Sequence, residues 1–70
     1  MFKRIRALRE DRDITQMKMA QLLKIHQTTY SDYELGNLNV PADILIRLAK
    51  FYETSIDYIV GLTDDPRPYR

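Results

Sequence analysis

The sequence predicts an all-α protein of five short helices, because apolar residues recur at helical spacing and helix-start signals alternate with helix-stop signals. Its 70 residues are 44% hydrophobic, which suits one globular domain whose helices share a single core. No segment has the pattern of a strand, a repeat or a low-complexity tract. We expect one compact domain over residues 1–62 and a short tail at 63–70, where two prolines interrupt a stretch without periodicity.

The first two helices are predicted by apolar spacing and by a cap. Helix 1 covers about residues 2–12, where apolar side chains recur every third position. Thr15 is a good N-cap for a second helix, Gln16–Leu23, and Ile14 and Met19 stand where a hydrophobic staple would close. The residues expected to be buried on this second helix are Met19, Ala20 and Leu23.

The third helix is predicted to run from Gln27 to Leu35, with His26 at its cap and Gly36 as its stop. Its core side is expected to hold Ile25, Tyr30 and Tyr33. Amide, hydroxyl and carboxylate groups at an exposed helix start suit the reading of base edges in a DNA major groove. The polar residues expected to stay outside are Gln27, Thr28, Thr29, Ser31 and Asp32.

The last two helices follow a loop at residues 37–40. Pro41 is expected to open helix 4, because proline fits a first turn, where its missing N–H is not needed. Ser55 caps a short helix 5, Asp57 complements its dipole and Gly61 ends it. Helix 4 is expected to reach about Tyr52 and to bury Ile44, Leu45, Leu48 and either Phe51 or Tyr52.

Composition and charge narrow the class of protein. There is no cysteine, no apolar run near the ~20 residues of a membrane span and no signal peptide, so we expect a cytoplasmic address. The net charge is only +1, but residues 1–12 hold five basic and two acidic side chains, so the rest of the chain is net negative. A basic first helix beside two polar ones predicts a local footprint for nucleic acid, with a solvated charged surface as the alternative.

The order of several motifs resembles a known family. IRALRE opens the chain, ITQ begins helix 2, YSDYELG ends helix 3, and LAKFY and TSIDYIVG follow. Over about residues 3–61 these resemble the lambda-repressor-like helix-turn-helix domain of the Cro/XRE family, with the helix-turn-helix unit at about residues 15–36. The ending IDYIVGLTDDPRPY is similar to that of short, single-domain members, which commonly act as repressors or as antitoxins.

The resemblance implies a set of DNA contacts. Base contacts are expected from the recognition helix, where Gln can pair with adenine and Asp can accept from cytosine: Gln27, Thr28 and Asp32. Contacts to the DNA backbone are expected from the start of helix 2, the turn, the recognition helix and the following loop: Gln16, Lys24, Thr29, Ser31, Asn37, with Asn39 as a further candidate, and also Arg9.

An arginine and a glutamate at the positions of Arg9 and Glu34 join helix 1 to helix 3 in similar domains, so we expect this ion pair here. As an exposed pair it would be worth only ~0–1 kcal/mol, and more if half-buried. Two departures affect backbone turns, because Lys24 and Asp13 stand where this family usually has glycine. His26 is also a poorer cap than the usual Ser or Thr.

Three functional hypotheses remain open. The first is a sequence-specific double-stranded DNA-binding regulator, favoured as a repressor, that binds a near-palindromic operator as a homodimer. The second is an antitoxin or protein-interaction module, with a toxin as partner and DNA binding only for autoregulation. The third is an adaptor domain that has lost DNA binding. Catalysis, metal binding and cofactors find no support in the sequence. The surface expected to form the dimer is Ile56, Ile59, Val60 and Leu62.

Overall fold

The protein forms five α-helices in a computed structural model that describes residues 2–68. The all-α fold class and the helix count are confirmed. Three helices begin and end where the sequence predicts, and the first and fourth are shorter by one residue at each end because those residues act as caps. Pro41 is thus the extended N-cap, with ψ of 154°, and not the first helical residue. The helices are α1 (Lys3–Asp11), α2 (Gln16–Leu23), α3 (Gln27–Leu35), α4 (Ala42–Phe51) and α5 (Ile56–Val60).

Hydroxyl caps define the starts of α2 and α5. The Thr15 hydroxyl oxygen accepts from the backbone N–H of Lys18 at 3.1 Å, and that of Ser55 accepts from the N–H of Tyr58 at 3.1 Å. His26 occupies the N-cap position of α3, but its imidazole makes no capping hydrogen bond with any of residues 2–68. The start of α3 therefore depends more on packing than on its cap.

Every helix contributes one nearly inaccessible side chain to the core. The five, all with an exposed fraction of 1% or less, are Ile5, Met19, Tyr30, Leu48 and Ile59. At the end of α4 the buried aromatic residue is Tyr52, while Phe51 lies at the surface and meets the Tyr52 ring edge-on at 5.0 Å. Ile25 and Leu45, both expected to be buried, only pack partly against this core. Because all helices share one core, the positions of α2 and α3 depend on the whole domain.

The turn between α2 and α3 adopts a left-handed backbone conformation, which is unfavourable for the non-glycine residue at this position. Lys24 has φ of 57° and ψ of 43°, and Asp13 has φ of 55° in the connection before α2. Glu53, which the sequence analysis did not single out, has φ of 53° after α4. Each such non-glycine residue costs roughly 1–2 kcal/mol relative to an ordinary helical conformation.

The predicted tail returns to the domain. Arg4 Nη2 contacts Asp64 Oδ1 at 2.6 Å, and Arg4 Nη1 donates to the carbonyl oxygen of Tyr58 at 2.8 Å. The Thr54 hydroxyl donates to the carbonyl oxygen of Pro66 at 2.6 Å. Residues 63–66 therefore follow the α1 and α5 surface, and the last two positions of the predicted tail, 69 and 70, lie outside the described residues.

Candidate nucleic-acid interface

The polar surface of α3 and the start of α2 form one open depression of about 280 Å³. α2 and α3 pack against each other across the left-handed turn, which brings the start of each helix to the same side of the domain. The residues that line the depression, all of them named as candidate DNA contacts, are Gln16, Gln27, Thr28, Ser31 and Asp32. The fold therefore collects, on one surface, side chains from two separate helices.

The three expected base contacts lie on this surface but differ in exposure and in hydrogen bonding. Gln27 and Thr28 are exposed in the first turn of α3. Asp32, one turn further, is half-buried, and its Oδ1 accepts from the side-chain amide of Asn37 at 3.3 Å. A carboxylate held by an amide still offers acceptor oxygens, but it adds negative charge beside any approaching phosphate.

Of the expected contacts to the DNA backbone, Gln16 and Ser31 line the depression, and the others differ in exposure. Lys24 is exposed at the turn, and Asn37 and Asn39 are exposed in the loop after α3. The remaining candidates are half-buried: Gln16, Thr29 and Ser31. Lys24 thus precedes α3 in the chain and the two asparagines follow it, and phosphate contacts commonly come from residues next to a helix that enters a groove.

Arg9 and Glu34 are in contact, as the resemblance implies, and the pair is buried. Arg9 Nε lies 2.7 Å from Glu34 Oε2, and the two side chains are only 12% and 3% exposed. Arg9 Nη2 donates to Glu34 Oε1 at 3.2 Å and Arg9 Nη1 to the carbonyl oxygen of Ile14 at 2.7 Å. All three guanidinium nitrogens donate hydrogen bonds inside the domain, and the phosphate contact expected of Arg9 stays a prediction.

Glu34 is the centre of a small polar network. Its Oε1 also accepts from the Gln16 side-chain amide at 3.1 Å. Burial raises the pKa of Glu34, but hydrogen bonds from Arg9 and Gln16 outweigh burial, and the net pKa is lowered. The same ion pair raises the pKa of Arg9, so both groups are charged at neutral pH.

Two tyrosines pack around this network. Tyr30 is fully buried, and burial followed by the neighbouring Glu34 raises the pKa of its phenol, so it stays neutral. Its hydroxyl has no hydrogen bond of ordinary geometry within residues 2–68. Burial likewise raises the pKa of Tyr52 to about 12. The ion pair therefore lies in an apolar, aromatic environment, which strengthens its electrostatics.

The arginines of α1 contact other groups of the chain, and the basic footprint expected of the first helix stays a prediction. Arg4 reaches Asp64 and stacks 4.1 Å from the Tyr58 ring centre, and Arg6 pairs with Glu10 at 2.9 Å. Arg12 lies 5.4 Å from the Tyr52 ring centre. Sequence charge alone does not reveal these partners, which lie mostly on distant parts of the chain.

Arg47 is a supporting residue that the sequence analysis missed. Its Nη1 donates to the carbonyl oxygen of Leu23 at 2.9 Å and its Nη2 to that of Leu22 at 3.3 Å. A cation at the C-terminal end of a helix satisfies free carbonyls and complements the helix dipole. Arg47 thus connects α4 to the end of α2, directly before the turn that orients α3. A lone charge inside the apolar stretch LIRLA was the available signal.

A comparison with known protein families matches residues 5–59 to the family described as Helix-turn-helix. The chain belongs to this family. The resemblance to Cro/XRE domains is thereby confirmed, and the family is not one of enzymes, as the sequence predicted.

Two relatives from Bacillus subtilis (strain 168) support the family assignment. The chain is 41% identical over 66 residues to the uncharacterized HTH-type transcriptional regulator YobD, covering 94% of this chain and 59% of that relative. It is 32% identical over 59 residues to the HTH-type transcriptional regulator ImmR, covering 84% of this chain and 46% of that relative. The chain thus spans less than two thirds of either relative. No solved structure matches significantly.

Within this helix-turn-helix domain, the expected dimer surface needs a correction. Ile59 is 1% exposed and belongs to the core, so it is not available to a second molecule. Leu62 is 77% exposed, and Ile56 and Val60 are half-buried at the surface of α5. In the part of the chain that the structure describes, no helix is long and apolar enough to cross a membrane, and no three potential metal ligands cluster.

Proposed function

We propose that this chain is a transcriptional regulator that binds double-stranded DNA in a sequence-specific manner, with α3 in the major groove. The observation that carries the proposal is the exposed polar start of α3, where Gln27 and Thr28 share one depression with the start of α2. Gln pairs bidentately with adenine, and Thr hydrogen-bonds or contacts the thymine methyl. The names of both relatives, as transcriptional regulators, support this function.

Phosphate contacts in this proposal come from the depression's rim and not from α1. Lys24 is exposed in the turn before α3 and Asn37 in the loop after it, and Gln16 lines the depression itself. The arginines of α1 are committed elsewhere, so few full positive charges face the DNA. We therefore expect a modest salt dependence, with neutralisation of fewer phosphates than in a strongly basic domain.

The proposed protein acts as a homodimeric repressor on a near-palindromic operator in the cytoplasm. One such module buries only ~600–1,000 Å² on DNA, which is small for tight specific binding, and a second module adds a second half-site about one helical turn (~34 Å) away. Leu62, with Val60 beside it, offers exposed apolar surface at the end of α5 for the second copy. Sedimentation of the wild type and of Leu62→Lys tests this, with a weaker dimer expected for the variant.

Selection of bound duplexes from a random library, at two salt concentrations, tests the proposal. We expect enrichment of two half-sites with fixed spacing. The variants Gln27→Ala and Thr28→Ala should lose preference at individual base pairs by about 1–3 kcal/mol while remaining folded. Gln21→Ala is the matched control, because Gln21 is exposed on α2 but does not line the depression.

Three outcomes of this selection distinguish the functional hypotheses. An enriched sequence that depends on Gln27 and Thr28 supports the proposal. Binding that falls steeply with salt and enriches no sequence contradicts specific recognition and leaves phosphate contact only. No binding at either salt contradicts the regulator function and favours a protein partner instead.

A further inference from the structure

Gln16 stands between two different chemical environments. On one side its side-chain amide nitrogen donates to Glu34 Oε1 at 3.1 Å, and on the other Gln16 lines the open depression with Gln27 and Thr28. A glutamine amide has a donor end and an acceptor end, and a freely turning amide can present either end to a binding partner. The partner of Gln16 therefore decides how its amide is oriented towards the depression.

Glu34 permits only one orientation of that amide. An ionised carboxylate accepts hydrogen bonds and donates none, so it can hold only the N–H end of Gln16. The ion pair with Arg9 at 2.7 Å and the 3% exposure of Glu34 keep this carboxylate charged and fixed. A bond from the amide to a buried charged acceptor is also stronger than one between neutral groups.

We propose that Glu34 is a positioning residue for DNA recognition, which holds the Gln16 amide so that its carbonyl oxygen is presented to the depression. There the oxygen is an acceptor for an amino donor, either the side-chain amide of Gln27 or the exocyclic amino group of a base. This inference rests on the proposed function. It adds that a buried residue with no access to DNA determines the hydrogen-bond pattern of the reading surface.

The arrangement also separates the two roles of the ion pair. Arg9 contacts Glu34 through Nε and Nη2 and anchors it to α1, whereas Gln16 contacts the same carboxylate from the start of α2. The anchoring role affects the stability of the whole domain. The positioning role affects Gln16 alone, so variants that keep or remove the acceptor at position 34 can distinguish them.

Two double variants make the test. Arg9→Met with Glu34→Met removes both charges and the acceptor, while Arg9→Met with Glu34→Gln removes both charges but keeps an acceptor oxygen. Removing both members of the pair avoids an unpaired buried charge, so both proteins are expected to fold. They differ chiefly in whether Gln16 retains a hydrogen-bond acceptor.

The first readout needs no DNA. NMR resolves the side-chain amides of the chain's glutamines, Gln16, Gln21 and Gln27. In the wild type we expect hydrogen exchange of the Gln16 amide to be slower than that of exposed Gln21 by about tenfold or more, as for a bond to a charged acceptor. The Met variant should lose this difference and the Gln variant should keep part of it. Equal exchange rates of Gln16 in the wild type and the Met variant would overturn the proposal.

The second readout is the base preference of library-selected duplexes. A well-placed glutamine discriminates between bases by about five- to a hundredfold. At the base pair that the Gln16 and Gln27 side chains contact, we expect the Met variant to lose about fivefold or more of the wild-type base preference. The Gln variant should recover part of the loss, and Gln21→Ala none. A preference that falls equally in both double variants would assign Glu34 a structural role only. If the wild type selects no sequence, the proposed function fails, and the exchange measurement still decides whether Glu34 positions Gln16.

Discussion

Truncation of Arg9 tests how much of the domain's stability depends on the buried ion pair. The Arg9 and Glu34 side chains are 12% and 3% exposed. Arg9→Met therefore leaves the Glu34 carboxylate buried without its positive partner, while the hydrogen bond from the Gln16 amide remains. Loss of one partner of a buried pair costs about 3–5 kcal/mol. A domain of this size has a total stability of roughly 3–10 kcal/mol. Arg9→Met should therefore remove a large part of it.

The complementary variant should cost less, for a reason that the structure provides. In Glu34→Met the unpaired group is the arginine, whose long side chain lies at the rim of α1 and can turn its head towards water. We expect a loss nearer ~2 kcal/mol for this variant. The double variant Arg9→Met with Glu34→Met should lie within about 1 kcal/mol of the wild type, because neither charge is then left alone.

Urea unfolding followed by far-ultraviolet circular dichroism measures these differences, since the chain has no tryptophan for fluorescence. Arg6→Met is the matched control, because the Arg6–Glu10 pair is exposed at 64% and 55% and spans one helical turn. Its loss should be below about 0.5 kcal/mol. If Arg9→Met cost no more than Arg6→Met, the reasoning from burial would be refuted.

Three further predictions concern backbone strain, capping and pH. Lys24→Gly should raise the free energy of unfolding by about 0.5–1 kcal/mol, because φ of 57° is strained for lysine and ordinary for glycine. Thr15→Ala should lower it by about 1 kcal/mol, since the hydroxyl cap of α2 is lost. The pKa of Glu34 is lowered, so its stabilising contribution is full above the ordinary carboxyl pKa and is lost as the pH falls through the lowered value. Urea unfolding between pH 7 and pH 2 should therefore show a smaller acid loss in the double variant without the ion pair than in the wild type.

Each of these has a control. Gln21→Gly, inside α2, should destabilise by about 1 kcal/mol, which separates the benefit at Lys24 from any general effect of glycine. Thr15→Ser keeps a hydroxyl and should be nearly neutral. A Lys24→Gly variant less stable than the wild type would show that the lysine side chain contributes more than its strained backbone costs. Identical pH profiles with and without the ion pair would contradict the assigned pKa shift.

Much of the fold and of the site's location follows from local signals. The bounds of α2 and α3 agree with the sequence because Thr15, the left-handed residue Lys24 and Gly36 act on their own neighbours. The exposure of Gln27 and Thr28 follows from the helical period once Tyr30 and Tyr33 are assigned to the core. These are effects of a few residues along the chain, which a sequence displays directly.

Other assignments required contacts between distant residues. Ile59 and Leu62 are both apolar and nearby in sequence, yet one is in the core and the other is 77% exposed, because only the packing of α5 on α1 and α4 decides which is covered. The choice of Tyr52 over Phe51 has the same cause. The arginines of α1 look like a free basic surface in sequence, and their partners become visible only when residues such as Asp64 fold back onto α1.

The sequence alone determined the helical class, the helix-turn-helix unit and the polar character of its reading surface, because caps, periodicity and turn residues act over a few positions. The tertiary structure decided which charges remain available and which end of the Gln16 amide is held. Glu34 is 18 positions from Gln16 and 25 from Arg9, and its bonds to these two residues keep the buried carboxylate charged and fixed. Burial and pairing are properties of the assembled domain, because they depend on contacts between residues that are far apart in the chain.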